Sequence, residues 1–277
     1  MGLRINTNTA SIAGQRALEM NGKEMTKTLQ HLSTGSRINS AAEDSAGLSI
    51  SEHLRGQVRS LQQANRNAND GVSMIQVAEG GLNEVGNILI RLRELTIQSA
   101  SDTIGDKERG YINQEFQSLK SEIDRIAQAT NFSGTPLLNG ESAKGTLELQ
   151  VGAFNSAHDR IGFKVDAFDT RPDKLEISGT GTVDIDASRE AISQVDHALD
   201  MVNGYRASLG AMQNRLNSTS NSLSVGIENM SAAQSRIRDA DIANETANLA
   251  KHSILKQAGV AVLAQANQEP ALALRLI

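Results

Sequence analysis

Cysteine and tryptophan are both absent from this 277-residue chain, and only 3% of its residues are aromatic. Without cysteine, the chain has no disulfide, no thiolate metal ligand and no cysteine nucleophile. Apolar residues make up 39% of the sequence, so a core of some kind is expected, built mainly from Leu, Ile, Val and Ala. Such side chains suit thin helical packing better than a deep globular interior.

Long hydrophobic runs and clusters of one charge are missing as well. The formal net charge is −5, with basic residues scattered among acidic ones, so there is no basic stripe for nucleic acid and no polybasic membrane patch. No segment approaches the length of a membrane span, and the opening MGLRINTNTASIAG has no continuous apolar core of the secretory type. We therefore expect no nucleic-acid binding, no membrane insertion and no export by a cleaved signal peptide.

Recognisable catalytic and metal-binding motifs are also missing. The five histidines are scattered, no pair has metal-ligand spacing, and the sequence contains no HExxH. The sequence therefore predicts a protein that is not an enzyme and that needs no cofactor or metal.

An apolar ladder dominates the second half of the chain. Its residues recur every seven positions: Val195, Val202, Leu209, Leu216, Leu223, Met230 and Ile237. A straight helix drifts off a seven-residue period, so only packing against partner helices keeps such a seam buried. The ladder predicts a long helix over about residues 188–235 that lies in a helical bundle.

Two further helices are predicted in the first half, over about residues 48–99 and 107–129. Two glycines at positions 80 and 81 predict a local adjustment or break in the first of them. We expect these helices to supply the following core residues, together with the ladder from Val195 to Met230: Leu61, Ile75, Leu82, Leu89, Ile112, Phe116, Leu119 and Ile123.

The segment over residues 131–187 has a different pattern. FSGTPLLNG is typical of turns, and TLELQVGA, RIGFKVDAF, KLEISG and GTVDID alternate apolar with polar residues, as strands do. The fold class predicted is therefore mainly α with a small β region: a long antiparallel helical bundle or coiled coil that carries a β-hairpin insert.

The two ends of the chain predict weaker helices. Residues 7–33 place Ile12, Leu18, Met25, Leu29 and Leu32 on one side, and the small, polar residues 33–47 that follow predict a connector without a core of its own. In the last segment, Ala240, Ala247, Ile254 and Ala261 recur at intervals of seven. Because an alanine seam buries little area per residue, we expect these two seams to need packing against other subunits.

Five segments of the chain together resemble bacterial flagellin. In order, they are INTNTASIAGQRAL, LSTGSRINSAAEDSAGLSIS, RLRELTIQSAS, SEIDRIAQATNFSGTPLLNG and ILKQAGVAVLAQANQEPALALRL. The resemblance implies that residues 1–45 and 236–277 pair as a coiled coil in the inner tube of a filament. Residues 46–235 would then form the outer-tube bundle, with a β-rich insert at about 131–187. The chain resembles a short flagellin without large outer domains.

The resemblance also implies function and partners. The chain would be secreted through the flagellar type III apparatus, with a chaperone on about residues 240–277, and would assemble with copies of itself into the flagellar filament for motility. The filament cap and the hook–filament junction proteins would be further partners. A hook–filament junction protein is the alternative identity, because its ends are similar.

A receptor contact is a further implication of the resemblance. Flagellins detected by Toll-like receptor 5 carry an Arg, a Leu and a Glu that match Arg91, Leu95 and Glu115. Arg91 and Leu95 are one helical turn apart, so we expect one surface to present both. The other interpretation is that this face packs against neighbouring subunits.

Overall fold

A computed structural model of the chain describes residues 7–141 and 145–274. Within these ranges it has five α-helices and four short strands. The helices are α1 (Thr9–Thr34), α2 (Ser45–Ser99), α3 (Asp106–Ala129), α4 (Ile185–Arg238) and α5 (Ile242–Leu274). The strands are β1 (Asn131–Phe132), β2 (Thr135–Pro136), β3 (Thr146–Gln150) and β4 (Arg160–Lys164). The predicted fold class, mainly α with a small β region, is confirmed.

The chain divides into two compact units. Residues 1–58 and 229–277 form the first, called the terminal unit below, and residues 59–228 form the second, the central unit. Both boundaries between the units lie inside long helices, α2 and α4. The domain boundaries implied by the resemblance lie instead near residues 45 and 236, close to the ends of these helices. Residues 1–6 and 275–277 of the implied inner-tube domain lie outside the described residues. None of the described helices is both long enough and apolar enough to cross a membrane.

The core of the central unit combines α2, α3, α4 and the β insert. Ten of the predicted core residues are buried in it, and Leu119 packs against it partly buried. The buried ten are Ile75, Leu82, Leu89, Ile112, Phe116, Ile123, Val195, Val202, Leu209 and Leu216. Leu61 and Leu223 of the same unit are only half-buried, and so is Met230 of the terminal unit.

The β insert consists of two antiparallel hairpins. β1 and β2 are joined by Ser133 and Gly134, whose φ angles of 51° and 80° give the two-residue turn with a positive φ at both positions that suits a tight hairpin. β3 pairs with β4 from Thr146↔Lys164 to Gln150↔Arg160. This hairpin buries Phe163 completely, which ties it to the helical core.

The strands predicted at KLEISG and GTVDID are wrong. In the first segment, the Leu175 and Ile177 amides donate to the carbonyls of Arg171 and Pro172, so local turns satisfy the backbone and no partner strand is needed. Both side chains are nevertheless buried, which explains the strand-like alternation. The second segment leads into α4, where the Asp184 side chain accepts from the Ala187 amide. Apolar alternation alone did not distinguish a buried turn from a strand.

Of the local adjustment or break predicted at Gly80 and Gly81, the break is wrong, because α2 continues through both residues. A Cβ atom on Gly81 would lie 2.7 Å from Leu138 Cδ1 and 2.7 Å from Thr130 Oγ1, whereas one on Gly80 would have no such neighbour within 4 Å. Gly81 therefore permits the segment after α3 to approach α2 closely.

Alanine substitutions at Gly80 and Gly81 should have opposite effects on stability. Gly81→Ala is expected to lower the free energy of unfolding by about 1 kcal/mol, because overpacking costs ~1–3 kcal/mol and better helix propensity returns only ~0.5–1 kcal/mol. Gly80→Ala improves helix propensity without a steric clash, so it should raise the free energy of unfolding by ~0.5–1 kcal/mol. Urea unfolding followed by circular dichroism measures both changes. Equal stabilisation by the two variants would contradict this account of Gly81.

Candidate assembly interface

Helices α1 and α5 pair in antiparallel orientation within the terminal unit, and this pair is called the arm below. Asn8 Nδ2, at the start of α1, donates to the Ala266 carbonyl at 2.7 Å. Further along, Asn21 Nδ2 donates to the His252 carbonyl at 2.8 Å. Residue numbers rise along one helix as they fall along the other, which defines the antiparallel orientation.

The contact face of α1 follows a heptad pattern made largely of small and polar residues. Its positions alternate at spacings of three and four, which is the coiled-coil pattern, and all of them are buried or half-buried. These positions are Ser11, Gly14, Leu18, Asn21, Met25, Thr28 and Leu32. On α5 the corresponding seven-residue series is Glu245, His252, Gly259 and Ala266.

Two glycines allow the arm helices to approach closely. Leu18 of α1 packs over Gly259, where an added Cβ would lie 2.7 Å from Leu18 Cδ2. Leu263 of α5 packs over Gly14, where an added Cβ would lie 3.2 Å from Leu263 Cδ1. Each leucine therefore occupies the space above a glycine, and a side chain at that glycine position would reduce this space.

Polar contacts set the register of the arm. Asn8 Oδ1 accepts from the Ser11 amide at 3.0 Å and caps α1, while Ser11 Oγ donates to Asn267 Oδ1 at 2.8 Å. His252 Nδ1 lies 2.6 Å from Asn21 Oδ1. A half-buried Asn in a coiled-coil seam fixes register and orientation at a cost in stability, so the arm is aligned by polar groups rather than by a large apolar core.

The predicted seam residues fall on two different faces of the arm. Leu18, Met25 and Leu32 lie half-buried on the contact face, whereas Ile12 and Leu29 are exposed. Of the predicted α5 series, Ala247, Ile254 and Ala261 are exposed, and Ala240 precedes the helix, where its amide donates to the Gly35 carbonyl at 2.9 Å. The contact face of α5 lies two positions before the predicted series, about 200° round the helix.

Sequence reasoning missed the α5 contact face because it followed a seven-residue series of alanines and one isoleucine. The available signal was the seven-residue spacing of Glu245, His252, Gly259 and Ala266, in which no large aliphatic side chain takes part. Ile254, Leu255, Val260 and Val262 of α5 are left exposed to solvent.

The outward surface of the arm is unusually apolar. Ile254 is 65% exposed, and between Thr246 and Gln268 only Lys251 and Lys256 carry a formal charge. Further large apolar side chains exposed on the arm are Ile12, Met20, Leu29, Ile242, Leu255, Val260 and Val262. A helix that is apolar on every side is normally buried, and the contacts with α1 cover only one side of α5.

The connector between α1 and α2 is bound to the break between α4 and α5. Gly35 ends α1 in the left-handed conformation with φ of 69°. The Arg37 amide donates to the Arg238 carbonyl at 2.6 Å, and the Ala240 amide donates to the Gly35 carbonyl. Ile38 of the connector is buried.

The three residues matched to a receptor contact are not all on the surface. Arg91 Nη2 lies 2.9 Å from Glu115 Oε1, and Arg91 Nη1 lies 2.9 Å from Glu94 Oε2, all on exposed side chains. These bonds, that to Glu94 first, raise the pKa of Arg91. Leu95 is only 1% exposed, because it lies on the core side of α2. The expectation that one surface presents Arg91 and Leu95 together is therefore wrong.

A metal site has no basis in the part of the chain that the structure describes, where no group of three or more His, Asp or Glu side chains could hold an ion. The arm is instead characterised by contacts between α1 and α5 and by the apolar side chains on its outward surface.

Known proteins with similar sequences cover almost the whole chain. Residues 5–143 match the family described as bacterial flagellin N-terminal helical region, and residues 192–277 match the bacterial flagellin C-terminal helical region. A flagellin of Halalkalibacterium halodurans is 41% identical over 273 residues, covering 99% of each chain. The flagellar filament 33 kDa core protein of Treponema phagedenis is 40% identical over 286 residues, again covering 99% of each chain.

A solved structure agrees with these sequence matches. The crystal structure of Bacillus cereus flagellin superposes with a TM-score of 0.51 at 29% identity, covering 61% of this chain and 94% of that one. Fold and sequence thus point to the same family.

Proposed function

Because this chain belongs to the bacterial flagellin family and is a structural subunit of the flagellar filament, we propose that the arm is the segment through which its copies assemble. The relatives are flagellins and filament core proteins, and they give no support to the alternative of a hook–filament junction protein. Filament localisation follows from the same relatives. A structural rather than a catalytic role is part of the proposal.

The observation that carries the proposal is the apolar outward surface of α5. Burying an exposed Val, Leu or Ile side chain contributes about 1.5–3 kcal/mol. Ile254, Leu255, Val260 and Val262 together could therefore contribute on the order of several kcal/mol per subunit when neighbouring copies cover them. In the free subunit these side chains are exposed to water and this free energy is not gained. Their burial therefore favours association of subunits.

The composition of the arm favours a second copy of the same chain as the partner. α1 and α5 both expose large aliphatic side chains, so the arm of one subunit offers a complementary apolar surface to the arm of the next. Repetition of that contact generates a filament rather than a closed dimer when the two surfaces differ. As the resemblance to the family implies, we assign residues 1–45 and 236–277 to the inner tube and residues 46–235 to the outer tube.

The remaining partners of the proposal follow from family membership and from the properties of α5. Before assembly, an apolar helix needs protection from unspecific association, which supports an export chaperone on about residues 240–277. Export through the flagellar type III apparatus, addition beneath the filament cap and contact with junction proteins complete the proposed partners. Recognition of Arg91 and Glu115 by Toll-like receptor 5 stays a prediction, with Leu95 contributing to packing.

Deletion of residues 242–277 tests the assembly role. The full chain, at high concentration with filament seeds, is expected to form filaments visible by negative-stain microscopy, and the shortened chain is expected to form none. Circular dichroism should show that the helices of the central unit still melt cooperatively in the shortened chain, because its core residues lie within 59–228. Filaments formed equally well without α5 would refute the proposal.

A further inference from the structure

His31 joins three segments of the terminal unit. It lies in the last turn of α1, with its side chain 8% exposed. Its Nδ1 is 3.1 Å from Glu245 Oε1 on α5, and its Nε2 is 3.2 Å from Glu43 Oε1 in the connector. Both ring nitrogens therefore face a carboxylate, and the imidazole bridges two segments that are distant in sequence.

This geometry suits only one protonation state of the ring. A neutral imidazole has a single N–H, so it can donate to one carboxylate while its lone pair faces the other. The protonated ring donates to both carboxylates and also balances part of their negative charge. The three-way contact is therefore favourable when both ring nitrogens of His31 are protonated. When the ring is neutral, one of its two contacts with a carboxylate is unfavourable.

One of the two carboxylates that face the ring is held by backbone amides. The backbone amides of Asn39 and Ser40 donate to Glu43 Oε2 at 2.7 and 3.3 Å. These bonds, that from Asn39 first, lower the pKa of Glu43, so this partner stays ionised. Lys27 Nζ of α1 lies 3.8 Å from Glu43 Oε1, and Glu245 faces the ring from α5. The Glu43 carboxylate is therefore held in position by groups other than the ring.

The position of His31 connects its charge to the arm. The Gly35–Ala240 and Arg37–Arg238 backbone bonds lie just beyond it, where α1 ends and α5 begins. Glu43 and Glu245 lie on the two chain segments that these bonds bring together. Loss of the bridge at His31 would thus loosen the end of the arm that is joined to the rest of the terminal unit.

We propose that His31, Glu43 and Glu245 form a proton-dependent clasp that strengthens the arm at lower pH and loosens it as pH rises. The clasp rests on the assembly function proposed above, because the arm is the segment it fastens. The sign follows from linkage: a histidine whose charged form gains partners in the folded state contributes stability that is present while it is protonated and is lost on deprotonation. Histidine is the side chain suited to such a change near neutral pH.

Filament dissociation at two pH values tests the clasp. Wild-type filaments would be held at about pH 6 and at about pH 9, and the free subunit concentration would be measured after ultracentrifugation. We expect the wild-type value to be about tenfold higher at the upper pH, which corresponds to ~1.4 kcal/mol. His31→Gln, which cannot change charge, should show a change of less than about twofold, since the clasp no longer titrates.

Two histidine controls separate the clasp from general effects of pH. His252 also lies in the arm, but its Nδ1 contacts the neutral Asn21 side chain, and His53 is exposed on α2. His252→Gln and His53→Gln should keep the wild-type pH dependence. If His31→Gln filaments do not form, Glu245→Gln provides the second variant, because it removes one carboxylate charge and should weaken the pH dependence in the same direction.

The outcomes distinguish the clasp from the assembly role. Equal pH dependence in wild type and His31→Gln would overturn the clasp, as would a pH dependence lost only in His252→Gln or His53→Gln. Where neither His31→Gln nor Glu245→Gln assembles, amide protection factors of wild-type residues 26–34 that are the same at the two pH values would overturn it. Failure of wild-type protein to form filaments, or normal assembly without α5, would instead count against the proposed function.

Discussion

Ile254→Asp is expected to abolish filament assembly while leaving the isolated subunit folded. Ile254 is largely exposed on α5, so an aspartate there should change subunit stability by no more than ~0.5 kcal/mol. In the filament, the same position would be covered by another copy, and an unpaired carboxylate buried there costs several kcal/mol. The subunit concentration needed for assembly should therefore rise by at least about a hundredfold, the equivalent of ~2.8 kcal/mol.

Ile254→Leu provides the matched control, because it keeps the apolar character and nearly the same volume. Sedimentation of seeded samples over a range of concentrations measures both variants, and circular dichroism verifies that both remain helical. We expect the leucine variant to assemble close to the wild-type concentration. Normal filament formation by the aspartate variant would show that this face of α5 is not an assembly surface.

Phe116→Ala is expected to produce a large loss of stability in the central unit. Phe116 is completely buried within the core formed with α2 and α4. Replacing a buried phenylalanine by alanine costs ~3–5 kcal/mol, because apolar contacts are lost and a cavity remains. The free energy of unfolding, measured by urea titration of the monomer, should fall by that amount.

Tyr111→Ala tests the same kind of truncation on the same helix, where the ring is 71% exposed. Its effect on the free energy of unfolding should stay within about 0.5 kcal/mol, because little area is buried. Similar losses for the two variants would mean that α3 does not pack in the central unit as described.

The helices of the central unit could be predicted from the sequence because their apolar residues repeat regularly over many turns. A strict heptad such as Val195, Val202, Leu209 and Leu216 has few alternative interpretations. The β insert was less predictable. Alternation in GTVDID and KLEISG resembles a strand, yet local hydrogen bonds satisfy the backbone of KLEISG, and only neighbouring elements reveal that.

Glycine shows the same limit of sequence reasoning. Gly81 and Gly259 lie within helices, where glycine usually weakens the helix. Both lie where another side chain approaches to within about 3 Å of the missing Cβ, Leu138 or Thr130 in one case and Leu18 in the other. Such an approach depends on residues far away in sequence.

Periodicity and composition determined that this chain forms long packed helices, and the resemblance of its ends determined the family. Those properties are local or repeated along the chain, so the sequence displays them directly. Tertiary structure alone decided which face of α5 meets α1, that Leu95 is buried while Arg91 is exposed, and that His31 bridges Glu43 and Glu245. These depend on the register between helices, which here is set by glycines and polar contacts from separate parts of the chain.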